Sequence, residues 1–281
     1  MQKENMTQNQ KQIAYWNGEV GNKWDEYHHE IDEMLEEFSI VLLDEIGNCH
    51  NKSILDIGCG AGTISYSLAK NGAKVFGADV SKSLLANAQS KQENKINPRF
   101  ELCDVTDYQF IPDYFDLAVS RFGVMFFDDS VTSFKNIHNS MKPNAKLIFI
   151  AWQSPQENEW IMVTKNALHG IAEAISANNP DAPGAFAFNN PDRVRAILTD
   201  AGFRNIEITG HERNLYYNKG KGLAAGVSLL AKIGPASRNL AALPLEQQKI
   251  GITRLTQACK DYVKDESLCF KGKVWLVSAE K

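Results

Sequence analysis

From residue 53 onward, short apolar runs alternate with stretches in which apolar residues recur every three or four positions, the pattern of strands exchanging with amphipathic helices. Ile54-Leu55-Asp56-Ile57 reads as a buried strand that breaks into Gly58-Cys59-Gly60-Ala61-Gly62 and opens a helix over about 63–71. Further strands are expected at 74–78, 99–103 and 115–120, and at 146–150 after the turn Met141-Lys142-Pro143-Asn144-Ala145. Strands alternating with helices over 52–152 imply an α/β fold, a doubly wound, mostly parallel sheet with helices on both faces.

The flanks follow other periods. Residues 10–47 read as two helices, the second with Ile31, Met34, Leu35, Phe38, Leu42 and Ile46 on one apolar face. The first gathers Tyr15, Trp16, Trp24, Tyr27, His28 and His29 around Gly18 and Gly21, more aromatic surface than a simple amphipathic helix needs. Beyond Trp152, a helix through Trp160, Val163, Ala167, Leu168, Ile171, Ala174 and Ile175 precedes the loop Asn179-Pro180-Asp181-Ala182-Pro183-Gly184. Asn190-Pro191-Asp192 then opens a helix that closes at Ala201-Gly202, with proline near its start and glycine past its end. Strands at 203–217 and 273–279 enclose a helical stretch, 222–266, broken at Gly234-Pro235 and Pro244. The expected organisation is an amino-terminal helical cap (1–47), a ligand-binding core (48–152), a substrate lid (153–189), and a completion of the core (190–281) carrying a helical insertion at about 220–268. Such an insertion beside an active-site edge reads as a lid or substrate wall.

The chemistry concentrates where strands end. Glycines at alternate positions let backbone approach a ligand, and the helix that follows points free N–H groups at it. The spacing is D-x-G-x-G-x-G, so Asp56 stands where it can face a ligand ammonium. Asp79 follows the next strand, about where a doubly wound fold places the carboxylate that binds both ribose hydroxyls, and Asp104 follows the third, suited to an adenine amine. These acids, together with Phe115-Asp116-Leu117-Ala118-Val119-Ser120 and the turn into Lys146-Leu147-Ile148-Phe149-Ile150, resemble the cofactor site of class I S-adenosylmethionine-dependent methyltransferases.

The resemblance implies a seven-stranded, mostly parallel sheet with an antiparallel edge strand, S-adenosyl-L-methionine as cofactor and S-adenosyl-L-homocysteine as product. It places Asp56, Gly58, Cys59, Gly60 and Gly62 around the methionine part, Asp79 at the ribose, and Val80, Asp104 and Val105 at the adenine. Ser120 and Arg121 would end the fourth strand beside the sulfonium, with Trp16 and Trp24 closing over the cofactor. Some positions also have bland readings: Gly62 can serve helix packing alone, and Asp104 can cap a helix. Arg121 can hold the cofactor carboxylate, hold an acidic acceptor, or pair with an acid such as Asp128 or Asp129. Tyr27, Phe122, Met125, Phe126 and Trp152 would line an acceptor pocket, although the phenylalanines also suit a core. His28 or His29, on the first helix, would act as the base if the acceptor needs one, since imidazole titrates near neutrality.

The aromatic amino terminus, Ser120-Arg121-Phe122-Gly123 and Ala151-Trp152 further resemble the small-molecule methyltransferases of ubiquinone and menaquinone biosynthesis; Pro143-Asn144-Ala145 departs from their proline-glycine-glycine turn. The expected reaction is in-line methyl transfer to O, N or C of a small, partly apolar molecule. The alternatives are a non-catalytic cofactor-binding regulator or scaffold, and an enzyme with a protein or transfer RNA acceptor.

Composition narrows the partners. A formal charge of −4 and no run of Lys or Arg argue against nucleic acid. The polar start of the chain reads as neither a signal peptide nor an anchor, and no apolar run approaches the ~20 residues that span a bilayer. A cytoplasmic protein, monomer or homodimer, is expected. Five scattered cysteines without C-x-x-C spacing suit reduced thiols and no metal site.

Overall fold

The computed structural model describes residues 6–92, 97–171 and 182–281. The core strands are β1 (Ser53–Ile57), β2 (Lys74–Asp79), β3 (Arg99–Leu102), β4 (Phe115–Arg121), β5 (Met141–Trp152), β6 (Arg204–Tyr217) and, after a two-residue β7 (Val263–Lys264), β8 (Ser267–Glu280). They pair in the order β3-β2-β1-β4-β5-β8-β6, with β7 added beside β8. The pairs from β3 through β5 are parallel, and β8 runs antiparallel to both β5 and β6. This is the expected mostly parallel seven-stranded sheet, with its antiparallel pairing at one edge. Ile54, Leu55, Ala118, Val119 and the run Leu147–Ala151 are almost fully buried, so the central strands are apolar on both faces, as crossover helices on a parallel sheet require.

Helices α5 (Thr63–Lys70), α6 (Lys82–Ser90), α7 (Ser130–Ser140) and α9 (Pro191–Asp200) make the crossovers. Asn190 caps α9 through its side chain, Pro191 sits in the first turn, and Gly202 follows at φ +100°, the asymmetry expected from the sequence. The strand order reverses between β1 and β4, the position where open α/β sheets bind ligands. Two glycines meet there. A Cβ on Gly58 would lie 2.8 Å from the Gly123 Cα, and one on Gly123 would lie 2.8 Å from the Ile57 carbonyl oxygen, so the turns after β1 and β4 touch backbone to backbone.

The amino-terminal segment forms four helices rather than two: α1 (Gln8–Trp16), α2 (Glu19–Glu26), α3 (His28–Met34) and α4 (Glu36–Ile46). Tyr27 and Leu35 each close one helix and start the next, so the chain bends twice while Ile31, Met34, Leu35, Phe38, Leu42 and Ile46 all stay buried. A stripe with helical period does not show where its axis bends. Likewise β8 begins six residues before the expected strand, because Leu268 to Lys273 pair with β6 beyond the reach of β5.

The helix after Trp152 is α8 (Glu159–Leu168); Ala174, Ile175 and residues 179–181 of the expected loop lie outside the described residues. Between β6 and β8 run α10 (Gly222–Leu230), α11 (Gly234–Ala241) and α12 (Leu245–Ala258). Gly251 of α12 packs against Leu240 of α11 and Leu168 of α8, which ties these helices together. Among the described residues, no helix is long and apolar enough to cross a membrane.

Gly226, inside α10, tests two opposing effects. Alanine is favoured over glycine in a helix by about 1 kcal/mol. Here its Cβ would strike the Leu268 side chain and lie 3.0 Å from the Tyr217 carbonyl oxygen, and overpacking costs about 1–3 kcal/mol. Gly226→Ala should therefore lower the urea midpoint; a raised midpoint would show that α10 is free to shift away from β8.

Candidate active site

The carboxyl ends of β1 to β4 and the amino-terminal helices enclose a cleft with about 1200 Å³ of open space. The sheet side contributes Asp56, Gly58, Cys59 and Gly60 from β1 and its turn, and Asp79 and Val80 after β2. Asp104 and Val105 follow β3, while Arg121, Phe122 and Phe126 come from the end of β4 and beyond. Trp16, Trp24 and His28 stand in the opposite wall.

Asp56 is 1% exposed and accepts a hydrogen bond from Ser65 Oγ at 2.5 Å. Burial pushes its carboxyl up to about 6, and the nearby Asp79 charge adds to this, while the Ser65 hydroxyl and Arg121 act in the other direction. Asp79 accepts from the Gly60 and Ser81 amides, one on each oxygen, both at 2.8 Å. Burial raises it too, and these amide bonds offset part of the rise. Asp79 thus fixes the glycine turn against β2 and still faces the cleft. Asp104 accepts from its own Thr106 amide and from Asn9 Nδ2, each at 2.8 Å; it starts a turn rather than capping a helix. Burial drives the Cys59 thiol up and Cys103 to about 12. All five cysteines are free and, with these shifts, the two in the cleft stay protonated.

Arg121 pairs with neither Asp128 nor Asp129. Its Nη2 lies 2.5 Å from Asp32 Oδ1 and its Nη1 donates to Ser39 Oγ at 2.9 Å. The other oxygen of Asp32 accepts from Thr63 Oγ1 at 2.5 Å, at the start of α5. Asp129 instead caps α7 through the Thr132 amide.

Several expected site residues stand outside the cleft wall. The Ser120 hydroxyl, fully buried, donates to the Ile57 carbonyl at 2.8 Å and accepts from the Gly123 amide at 3.1 Å, bracing the two touching turns. Gly62, at φ +85°, faces away from the ligand side: a Cβ there would lie 2.8 Å from Phe100 and 3.1 Å from Tyr66. Met125 is 1% exposed and belongs to the core. Trp152 stacks behind Phe122, ring centroids 4.5 Å apart, and supports it without reaching the cleft. Tyr27 turns towards the 222–266 helices, where its ring carries the Lys232 ammonium at 5.0 Å. His29 is exposed at the surface.

The sequence reading missed the polar anchors of the amino-terminal helices. Asn9 reaches Asp104, Asn17 Nδ2 donates to the Val80 carbonyl at 2.8 Å, and Asn87 Nδ2 donates to Asp25 at 2.9 Å. Asn17 sits directly before Gly18, a helix-ending signal that was readable; nothing local distinguishes Asn9 from its polar neighbours. Two cleft-lining polar atoms are buried without a partner, Gln12 Oε1 and His28 Nε2.

Comparison with known proteins bears on this geometry. Residues 55–149 match a family described as a methyltransferase domain. The chain is 33% identical over 163 residues to a ubiquinone biosynthesis O-methyltransferase of Coxiella burnetii, covering 57% of this chain and 66% of that protein. It is 25% identical over 189 residues to a malonyl-[acyl-carrier protein] O-methyltransferase of Pseudescherichia vulneris, covering 62% and 74% respectively. Among solved structures, phosphoethanolamine N-methyltransferase 2 of Haemonchus contortus, in complex with phosphomonomethylethanolamine and S-adenosylhomocysteine, superposes with a TM-score of 0.59 at 16% identity. That match covers 98% of this chain and 60% of the other, and shares the fold.

The residues of the cleft fit S-adenosylmethionine. Gly60, at φ +54°, would present a Cβ to open space, leaving bare backbone for a ligand, with acids at three successive strand ends around it. The matched segment 55–149 spans these acids and the glycine turn, and the chain carries a methyltransferase domain whose fold and cofactor are those of an S-adenosylmethionine-dependent enzyme.

Proposed function

We propose that the protein methylates a small, partly apolar molecule, with Asp56 facing the cofactor's ammonium, Asp79 its ribose, and Asp104 with Val105 its adenine. The cofactor supplies a methyl group already activated by positive sulfur, so the chain has to hold it, align the acceptor and exclude water. The observation that carries the acceptor class is the shape and lining of the cleft. Trp16 and Phe126 meet edge to face at 4.8 Å, and Trp24 packs on Trp16 at 5.6 Å, so the wall opposite the polar strand ends is aromatic. The amino-terminal helices lie across the opening, which favours a small acceptor over a macromolecule. Phe126 and Phe127 line an open space rather than filling it, which supports turnover over a purely structural cofactor.

The assignment is tested by calorimetric titration with S-adenosylmethionine, S-adenosylhomocysteine and NAD. The first two should bind and NAD should not. In Asp79→Asn, one carboxylate oxygen becomes a donor facing a donor amide, and a charged ribose partner is lost. Affinity for S-adenosylhomocysteine should fall roughly 10- to 100-fold, since hydrogen bonds to charged groups contribute about 1.5–3 kcal/mol. Unchanged affinity in a folded variant removes Asp79 from the ribose.

Asp56 gives a pH prediction. Its folded-state value of about 6 lies above the ordinary carboxyl value of 3.8, so the stability that comes from keeping it neutral is complete below pH 3.8 and is lost as the pH rises through 6. Integrated over that window the loss is about 3 kcal/mol. Asp56→Asn, which still accepts from Ser65, should abolish this part of the decline in urea stability between pH 4 and 7. It should also weaken S-adenosylmethionine, whose ammonium loses a counter-charge. A variant with the wild-type pH slope would mean that Asp56 ionises freely when buried.

A further inference from the structure

Of the two adjacent histidines, only His28 reaches the cleft. Its Nδ1 lies 2.8 Å from the Asp25 carbonyl oxygen. A carbonyl oxygen only accepts, so Nδ1 carries the hydrogen and the lone pair of the neutral ring is on Nε2. That atom is buried and has no hydrogen-bond partner. Leaving a buried acceptor unpaired is costly, and the chain does so on a residue of the cleft wall rather than in the core.

The ring is held from behind. Asn87 of α6 donates to the Asp25 carboxylate at 2.9 Å. Asn87 therefore fixes the residue whose carbonyl sets the tautomer. The ionisable surroundings are Asp25, the His29 ring at 4.0 Å, Asp32 one turn further along α3, and Lys91 just past α6, on which both acids act.

We propose that His28 Nε2 accepts the proton of the methyl acceptor, with Asp25 and Asn87 as positioning residues, and that the acceptor atom is therefore an oxygen or nitrogen still bonded to hydrogen at neutral pH. This rests on the methyltransferase reading of the cleft. The methyl carbon leaves sulfur for the acceptor atom, the carbon–sulfur electron pair stays on sulfur as a neutral thioether, and the acceptor's proton passes to Nε2 and then to water. His28 forms no covalent bond. An acceptor that is anionic before binding would have no use for this nitrogen, so the arrangement selects weakly acidic O–H or N–H groups from within an aromatic-walled space.

The test uses the full chain saturated with S-adenosylhomocysteine and 4-nitrocatechol as a chromogenic O–H probe. In the wild type the nitrophenolate band of the bound probe should appear about one pH unit lower than in water, because a base with a neutral partner stabilises the ionised pair. His28→Gln should lose that shift while binding S-adenosylhomocysteine within about twofold of wild type by calorimetry, and His29→Gln should keep it. In ¹⁵N-histidine-labelled protein, the His28 signal should show hydrogen on Nδ1 and a bare Nε2. A probe that ionises as in water, a His28→Gln protein that retains the shift, or hydrogen found on Nε2 overturns the proposal. A His28→Gln protein with cofactor affinity down more than tenfold overturns it as well, by making His28 a cofactor ligand. Failure of the wild type to bind S-adenosylhomocysteine would instead count against the cleft as the methyltransferase site. For any acceptor found to be methylated, kcat/KM should fall roughly 10²- to 10⁴-fold in His28→Gln.

Discussion

One carboxylate, Asp32, holds the two halves of the site together. It takes the Thr63 hydroxyl at the start of α5 on one oxygen and the Arg121 guanidinium at the end of β4 on the other. Those partners stand on the two sides of the strand-order reversal, so a residue of the amino-terminal helices spans the crevice between β1 and β4. Neither Arg121 nor Asp32 is more than about a fifth exposed. An isolated charge there would lack solvent, so each depends on the other. With Arg121 occupied in this way, it brings no uncompensated positive charge into the cleft.

The sheet and the glycine turn were legible because their signals are local: apolar runs of strand length, acids at their ends, and glycines where φ is positive. The same locality explains the errors. Gly62 shares the spacing of Gly58 and Gly60, yet its Cα faces Phe100 and Ala88 across a strand and a helix that lie 26 and more residues away. Ser120 ends a strand as expected, but its hydroxyl is satisfied by Ile57 and Gly123, which only the assembled turns bring together. The bends at Tyr27 and Leu35 left no mark in a stripe whose residues all remain buried. Asp32 was invisible as a partner of Arg121 because 89 residues separate them; a charge pattern read along the chain finds neighbours such as Asp128 and Asp129 first.

Asp56 and Asp79 show a second constraint at work. Both are buried carboxylates raised by desolvation, and the Asp79 charge raises Asp56 further. A chain selected for stability alone would place apolar residues there. The amides of Gly60 and Ser81 and the hydroxyl of Ser65 moderate the cost without removing it. The glycine turn is therefore held in shape by groups that are themselves under electrostatic stress, and a bound cation beside Asp56 would relieve it.

The long hairpin of β6 and β8 extends past the end of β5, since β8 pairs with β5 only from Val274 onward but with β6 from Leu268. Its free end carries α10 through α12, while its flank meets α4: Phe38 packs near Gly272, and Glu37 accepts from the Asn214 amide at 3.0 Å. Mechanically this is a cantilever, a two-stranded beam clamped at the sheet and loaded at the tip. The amino-terminal helices bear on the flank of this beam, so they and the three helices at its tip are joined through one element.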